Sequence, residues 1–394
     1  MKANPGGQID LSEIIGRDQV VDQLWETLEQ QSIRINAERR IGKTTVIKKL
    51  CETPKAGWVP IFQDLEQYHS AMDFAQAVYR EIDGYLSTKQ QSARRAKDFL
   101  TAIGGSEIKG VLKLPAFNDQ TPWKILLTKS IEDLVEAREQ HREKPLLLWD
   151  EVPLMLQSIA AREGQTVAME VLDTLRALRQ ELGAHGLRMI LTGSIGFHHV
   201  IDSLKQQGYA NSPLNDLYAF ELPVLEPPFP QELASKLISG ENIQSADVVK
   251  AAATIAELSD GFPFYIHHIV KAVKLSGLEA TSEGVSQIVT KQLVDSNDPW
   301  ELTHYRDRIP TYYGNDAENI VLGLLDSVAA NIEPVAVADV LRELKSQGLA
   351  IDREKLLKLL KAVEQDHYLA KDEQGRYRFR FPLLQRWWKL SRGL

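Results

Sequence analysis

Along the first 226 residues, short apolar runs alternate with segments whose apolar positions recur every three or four residues. Val20, Val21, Leu24, Trp25 and Leu28 share one face of an amphipathic helix predicted within 12–31. Ile33 and Ile35 follow as a short strand that runs into a turn, and a helix starts at Gly42-Lys43-Thr44-Thr45. The stretch 58–65 predicts a second strand, with Asp64 near its end, and 70–84 a helix. Residues 85–122 are less regular and read as an insertion holding a helix and a short hairpin around 108–114. A helix over 122–140 leads into 145–152, a continuous apolar run that reaches Asp150 and Glu151. Such a run, with turn signals on both sides, is the pattern of a buried parallel strand. A helix over 166–182, a strand over 188–194 and a fifth strand over 218–225 complete the series. Strands alternating with helices predict a doubly wound α/β sheet with parallel strands. Such sheets bind ligands at the carboxyl ends of their strands.

Pro227, Pro228 and Pro230 mark a boundary, and the pattern beyond it is helical over 231–240, 246–258, 262–276 and 283–294. Asp298, Pro299 and Trp300, followed by Pro310, suggest a second boundary. The tail predicts helices over 317–329, 335–347 and 352–365, then a hairpin turning at Glu373-Gln374-Gly375, which is a winged-helix arrangement. The expected domains are 1–226, an α/β core with its insertion at about 85–122; 227–310, a helical lid; and 311–394, a winged helix.

Composition narrows the picture. The chain is 43% hydrophobic and 25% charged, as ordinary soluble proteins are, and no run of 18 apolar residues offers a membrane span. The first ten residues lack an apolar leader core, so the expected compartment is the cytoplasm. A single cysteine, Cys51, excludes an internal disulfide and a cysteine-rich zinc site, and it reads as a core residue. The net charge of −8 argues against a chain built as a whole to coat nucleic acid.

The chemistry centres on residues 37–44. They fit the P-loop pattern G-x-x-x-x-G-K-[ST], with Ala37 in place of the first glycine. Such a loop points backbone N–H groups at phosphate oxygens from a helix N-terminus. Gly42 lets the backbone approach, Lys43 reaches the β- and γ-phosphates, and Thr44 ligates Mg²⁺. Ala37 is tolerated if its φ is negative and costs about 1 kcal/mol or more if positive. Asp150 is the candidate to hold Mg²⁺, and Glu151 to polarise the attacking water. Thr192 and Ser194, at the tip of the next strand, are placed to reach the γ-phosphate or the water, or simply to cap a turn.

Residues 37–44, Ala37-Glu38-Arg39-Arg40-Ile41-Gly42-Lys43-Thr44, resemble the G-x-R-R-x-G-K-T loop of the archaeal-type ATPases, a family in the STAND-like branch of the AAA+-related P-loop (ASCE) ATPases. Ile15-Gly16-Arg17-Asp18 is similar to that family's element ahead of the first helix, which would wall the base side of the pocket. Asp150-Glu151, Thr192-Gly193-Ser194, Asp260-Gly261-Phe262-Pro263 and the stretch from Tyr377 to Trp387-Trp388 extend the resemblance over most of the chain. It implies sheet order 5-1-4-3-2, nucleotide contacts from loop residues Glu38 to Thr45, and a contact from Gly261 and Pro263 in the lid. The implied function is an ATP-binding, Mg²⁺-dependent and slow ATP-hydrolysing switch, with ATP and Mg²⁺ bound between core and lid and an effector protein as partner. Arg39 and Arg40 are expected to pair with acidic groups or a neighbouring subunit. Arg162, Arg176 and Arg179 follow the carboxylates, but none is assignable as an arginine finger.

Two alternatives stay open: a DNA-binding AAA+ regulator of the loader or transposition type, and a non-hydrolysing ATP-bound scaffold. The last 25 residues hold 7 basic and 2 acidic side chains, and Arg376, Arg378 and Arg380 share one face of the wing strand. That face suits DNA phosphates, an acidic protein surface or solvent. A second copy of the chain is a further candidate partner; a membrane is not. Lys89, Arg94, Arg95 and Lys97 read as a solvated face or a nucleic-acid or partner contact, and adjacent His267 and His268 diverge too far to share a metal.

Overall fold

A computed structural model describes residues 1–7, 9–87, 90–91, 94–102, 106–108, 111–113, 122–193 and 196–394. The chain forms two units. The α/β unit comprises 18–37 and 43–222; the helical unit comprises 1–17, 38–42 and 223–394. No helix among the described residues is long and apolar enough to cross a membrane.

The α/β unit runs α1 (Asp18–Leu28), β1 (Ile33–Asn36), α2 (Lys43–Glu52), β2 (Trp58–Asp64), α3 (Ala71–Asp83), α4 (Arg95–Ala102), β3 (Ser106–Ile108), β4 (Val111–Lys113), α5 (Pro122–Glu139), β5 (Lys144–Asp150), α6 (Val152–Glu163), α7 (Gln165–Leu182), β6 (Arg188–Gly193), α8 (Phe197–Gln206) and β7 (Tyr218–Glu221). Among the described residues five strands form a parallel sheet in the order β2-β5-β6-β1-β7. The register pairs Asn36 with Gly193 and Asp64 with Asp150, so the polar strand tips share one edge. The apolar run of β5 is buried from Pro145 to Asp150 because helices cover both faces. Trp149 anchors one face, its ring edge-on to Phe74 at 5.2 Å. Among its described residues the insertion contains the helix α4 and the antiparallel pair β3-β4.

Among the described residues, four α-helices have no counterpart in the sequence-based expectation: α6, α8 and the later helices His304–Tyr313 and Pro382–Arg392. The basic cluster before α4 also departs from it. Arg94 is 1% exposed, donates to Asp83 Oδ1 at 2.8 Å and to Tyr79 O at 3.1 Å, and lies over the Tyr79 ring. Arg95 pairs with Glu132 and Glu136 of α5. These charges tie α4 to the unit; Lys97 stays exposed and Lys89 lies outside the described residues. Cys51 is half-buried rather than deep in the core, and burial pushes its thiol up to about 12, which keeps it protonated.

The helical unit runs α9 (Phe229–Gly240), α10 (Val248–Leu258), α11 (Pro263–Ser276), α12 (Ser282–Leu293), α13 (His304–Tyr313), α14 (Asn315–Ala330), α15 (Val337–Ser346), α16 (Arg353–Gln365), β8 (Leu369–Lys371), β9 (Tyr377–Phe379) and α17 (Pro382–Arg392). Asp247, Thr281 and Asp352 accept N–H bonds in the first turns of α10, α12 and α16, which is why those helices begin there. β8 and β9 form an antiparallel hairpin in which Tyr377 and Phe379 are buried and Arg378 is exposed. Arg376 is bonded to Asp372, and Arg380 is half-buried beside Phe381. Trp388 is fully buried and donates to Asp326 at 2.8 Å, so it serves packing.

Gly261 has φ +72, and an added Cβ would meet Leu225 O at 2.4 Å. Both the left-handed backbone and the backbone contact forbid a side chain, so Gly261→Ala is expected to destabilise by about 2–3 kcal/mol in urea unfolding. A change under about 0.5 kcal/mol would show that the turn relaxes freely.

His267 in α11 is 3% exposed, and its Nδ1 accepts the Asn4 N–H at 3.1 Å. Burial lowers its pKa to about 4. The folded state therefore binds this proton more weakly than the unfolded chain, and stability falls as pH drops from about 6.5 toward 4. From about pH 7.5 to pH 5 the loss is about 2 kcal/mol. Urea unfolding at both pH values should show His267→Gln losing that much less than the wild type; equal losses would contradict the assignment.

Candidate phosphate-loop site

β1 delivers the chain to Ala37, and α2 starts at Lys43. The backbone between them turns through Arg40 at φ +68 and Gly42 at φ +96. Ala37 has no positive φ, so the alanine fits without strain where the pattern calls for glycine. Lys43 is half-buried. Its Nζ lies 2.7 Å from Asp150 Oδ1 and 2.9 Å from Glu151 Oε1.

Asp150 ends β5 at 5% exposure. Its Oδ1 is ion-paired with the Lys43 ammonium and accepts from the Glu151 N–H at 2.9 Å and from the Thr192 hydroxyl. Oδ2 has no hydrogen bond among the described residues. β6 lies between β5 and β1, so Thr192, fully buried on β6, reaches Asp150 from the neighbouring strand. Its hydroxyl is committed to that carboxylate, which makes it an orienting group for Asp150. Glu151 adopts a left-handed backbone, φ 56 and ψ 32, at the junction of β5 and α6. A non-glycine residue held there costs about 1 kcal/mol or more, and such strain collects at functional sites. The turn aims Glu151 at Lys43. Thr44 is exposed and Thr45 half-buried in the first turn of α2. Ser194 lies outside the described residues.

Loop residues 38–42 fold with the helical unit. Ile41 is buried, and its carbonyl accepts from Arg17 Nη2 at 2.5 Å; Arg17 Nη1 donates to Pro223 O at 2.7 Å. Arg17 is 2% exposed, and burial lowers its pKa to about 10. It thus braces the loop through a backbone carbonyl. Gly16 takes the Phe229 ring against its Cα, with 2.5 Å to an added Cβ, and Ile15 beside it is half-buried. Arg39 is exposed. Arg40 pairs with Glu301, and its guanidinium carbon sits 4.3 Å from the Phe264 ring centre. Glu38 is buried and faces Arg308. Gly261 and Pro263 belong to this unit and flank the start of α11. Glu301 and Arg308 were not legible in the sequence. Of the arginines after the carboxylates, Arg179 is buried and bonded to Asp216 at 2.8 Å, while Arg162 is exposed and Arg176 half-buried.

The donor set of the α/β unit fits a nucleotide with Mg²⁺. It offers a carboxylate with an open oxygen, a hydroxyl at a helix start and an ammonium, and Mg²⁺ takes oxygen ligands.

No protein-family model matches the sequence, and no curated protein matches it. Similarity appears at the level of fold. The Walker-type ATPase PABY2304 of Pyrococcus abyssi aligns at a TM-score of 0.64 and 15% identity, over 96% of this chain and 97% of that one. This chain therefore has the fold of a Walker-type ATPase. The Aeropyrum pernix ORC1 protein, solved in complex with DNA, and Cdc6p of Pyrobaculum aerophilum align at 12% identity and a TM-score of 0.40. They cover 97% of this chain, and 95% and 99% of their own, but that likeness is too slight to carry an argument.

Proposed function

We propose that the chain is a Mg²⁺-dependent ATPase of the AAA+-related P-loop type that works as a switch. The observation that carries this is the Lys43 ammonium held between Asp150 and Glu151, 108 positions from the latter. A phosphate-loop lysine and a strand-end carboxylate pair have one common use, the handling of a nucleoside triphosphate. Counting the core strands alone, the sheet order reads 5-1-4-3-2, which supports the same reading.

Residues 37–44 bind the phosphates, and Lys43 exchanges its carboxylate partners for the β- and γ-phosphate oxygens. Mg²⁺ would be held by Thr44 and Asp150 and would neutralise charge on the phosphates. Thr192 keeps Asp150 in place. Glu151, released from Lys43, takes the proton of the attacking water. The ATPase core is residues 1–226, the lid 227–310 and the winged helix 311–394, acting on a protein effector. Loop residues 38–42 fold with the helical unit, which supports a switch read out there.

Asp150→Asn tests the metal assignment. Wild-type ATP affinity is expected to rise about tenfold or more on adding Mg²⁺, and the variant's to change less than about threefold. An equal Mg²⁺ response in both proteins would remove Asp150 from the site.

A further inference from the structure

Glu38, the second residue of the phosphate loop, is a carboxylate only 4% exposed, in a loop that must accept a polyanion. Its Oε1 accepts the Arg39 N–H at 2.9 Å, and its Oε2 has no hydrogen-bond partner among the described residues. The cation facing it is Arg308 of α13, with Nη1 3.5 Å from Oε1. Arg308 is held on its other sides as well. Nε donates to the Tyr368 hydroxyl and Nη2 to Asp366 O, each at 2.7 Å. The rings of Tyr305 and Tyr368 lie 4.6 and 4.4 Å from its guanidinium carbon. The Tyr368 hydroxyl donates onward to Tyr305 O at 2.5 Å. Burial alone would lower the Arg308 pKa, but Tyr368, Glu38 and Asp366 raise it well above its ordinary value, so the side chain is charged.

A buried carboxylate is poorly screened, and left unpaired in this loop it would repel phosphates. One fixed cation cancels that repulsion. We propose that Arg308 is a positioning residue for nucleotide binding: it neutralises Glu38, and through its bonds to Asp366 and Tyr368 it makes ATP affinity depend on the turn that opens β8. The inference rests on residues 37–44 being the ATP phosphate loop, and it gives the tail a regulatory route to that loop. Coupling of this kind is reciprocal, so ATP must also steady the turn.

The test is a double-mutant cycle on the full chain, read by calorimetric titration with ATP. Arg308→Met is expected to weaken ATP binding about 30-fold in the wild-type background and less than about threefold in the Glu38→Gln background. Arg308→Lys, which keeps the charge but loses the stacked and doubly bonded guanidinium, should bind ATP with an affinity between those of the wild type and Arg308→Met. A side chain that merely braces the fold would give equal losses in both backgrounds, and that result overturns the inference. A second measurement needs no variant. The Tyr368 N–H, bonded to Val363 O at 3.0 Å, is expected to exchange with solvent more slowly when ATP is bound. Exchange unchanged by saturating ATP contradicts the coupling. A wild type that binds no ATP overturns the loop assignment and the inference together, whereas a wild type that binds ATP with equal losses in the cycle overturns the inference alone.

Discussion

Lys43→Ala is expected to weaken ATP binding by about 100-fold or more. The ammonium is the one side-chain cation placed at the start of α2 to meet phosphate oxygens, and charge-assisted bonds of this kind contribute about 1.5–3 kcal/mol each. The substitution has a second consequence in the nucleotide-free protein. Asp150 and Glu151 both lean on Lys43, and without it a buried and a half-buried carboxylate lose their shared cation. Removing one partner from a buried ion pair costs about 3 kcal/mol. Unfolding in urea should therefore show a less stable variant, while circular dichroism shows it still folded. Unchanged ATP affinity in a folded variant would end the assignment of the site.

Glu151→Gln is expected to separate binding from chemistry. The amide keeps the size of the side chain and still accepts a bond from Lys43, so ATP affinity should stay within about threefold. It cannot take a proton from water, and turnover should fall by about 10²–10³-fold. The left-handed backbone at Glu151 sharpens the test, because the chain holds a non-glycine residue in that conformation to aim this carboxylate. Glu151→Ala offers the comparison: it removes the Lys43 contact as well, so its affinity is expected to change where the glutamine's does not. Equal turnover by wild type and Glu151→Gln would mean that another group activates the water, or that no water is activated.

The elements that the sequence discloses and those it hides differ for physical reasons. β5 is legible because a strand covered on both faces is apolar at every position. α6 is not, because Glu151 makes the whole turn from β5 and no loop residues announce the helix, while Pro153 sits in its first turn. Gly164, at φ 99, is the only break between α6 and α7. α13 is hidden by Pro310, which reads as a boundary but lies inside the helix, where it removes one backbone N–H bond without ending the helix. The site divides the same way. Residues 37–44 and the Asp150-Glu151 pair are short, local patterns. The partners that hold the loop are not: Arg40 meets Glu301 from 261 positions away, and Arg17 reaches Ile41 and Pro223 from either side. Thr192 is legible as a strand tip, but its commitment to Asp150 depends on β6 lying next to β5. Arg94 looks like surface charge in the sequence, and only the fold shows it buried against Tyr79 and Asp83.

The most direct measurement is phosphate release from ATP by the wild-type chain over many turnovers, with Mg²⁺ and with the metal chelated. The account predicts slow, Mg²⁺-dependent release that Lys43→Ala abolishes and Glu151→Gln lowers by about 10²–10³-fold. Release no faster than in Lys43→Ala under either condition would contradict it.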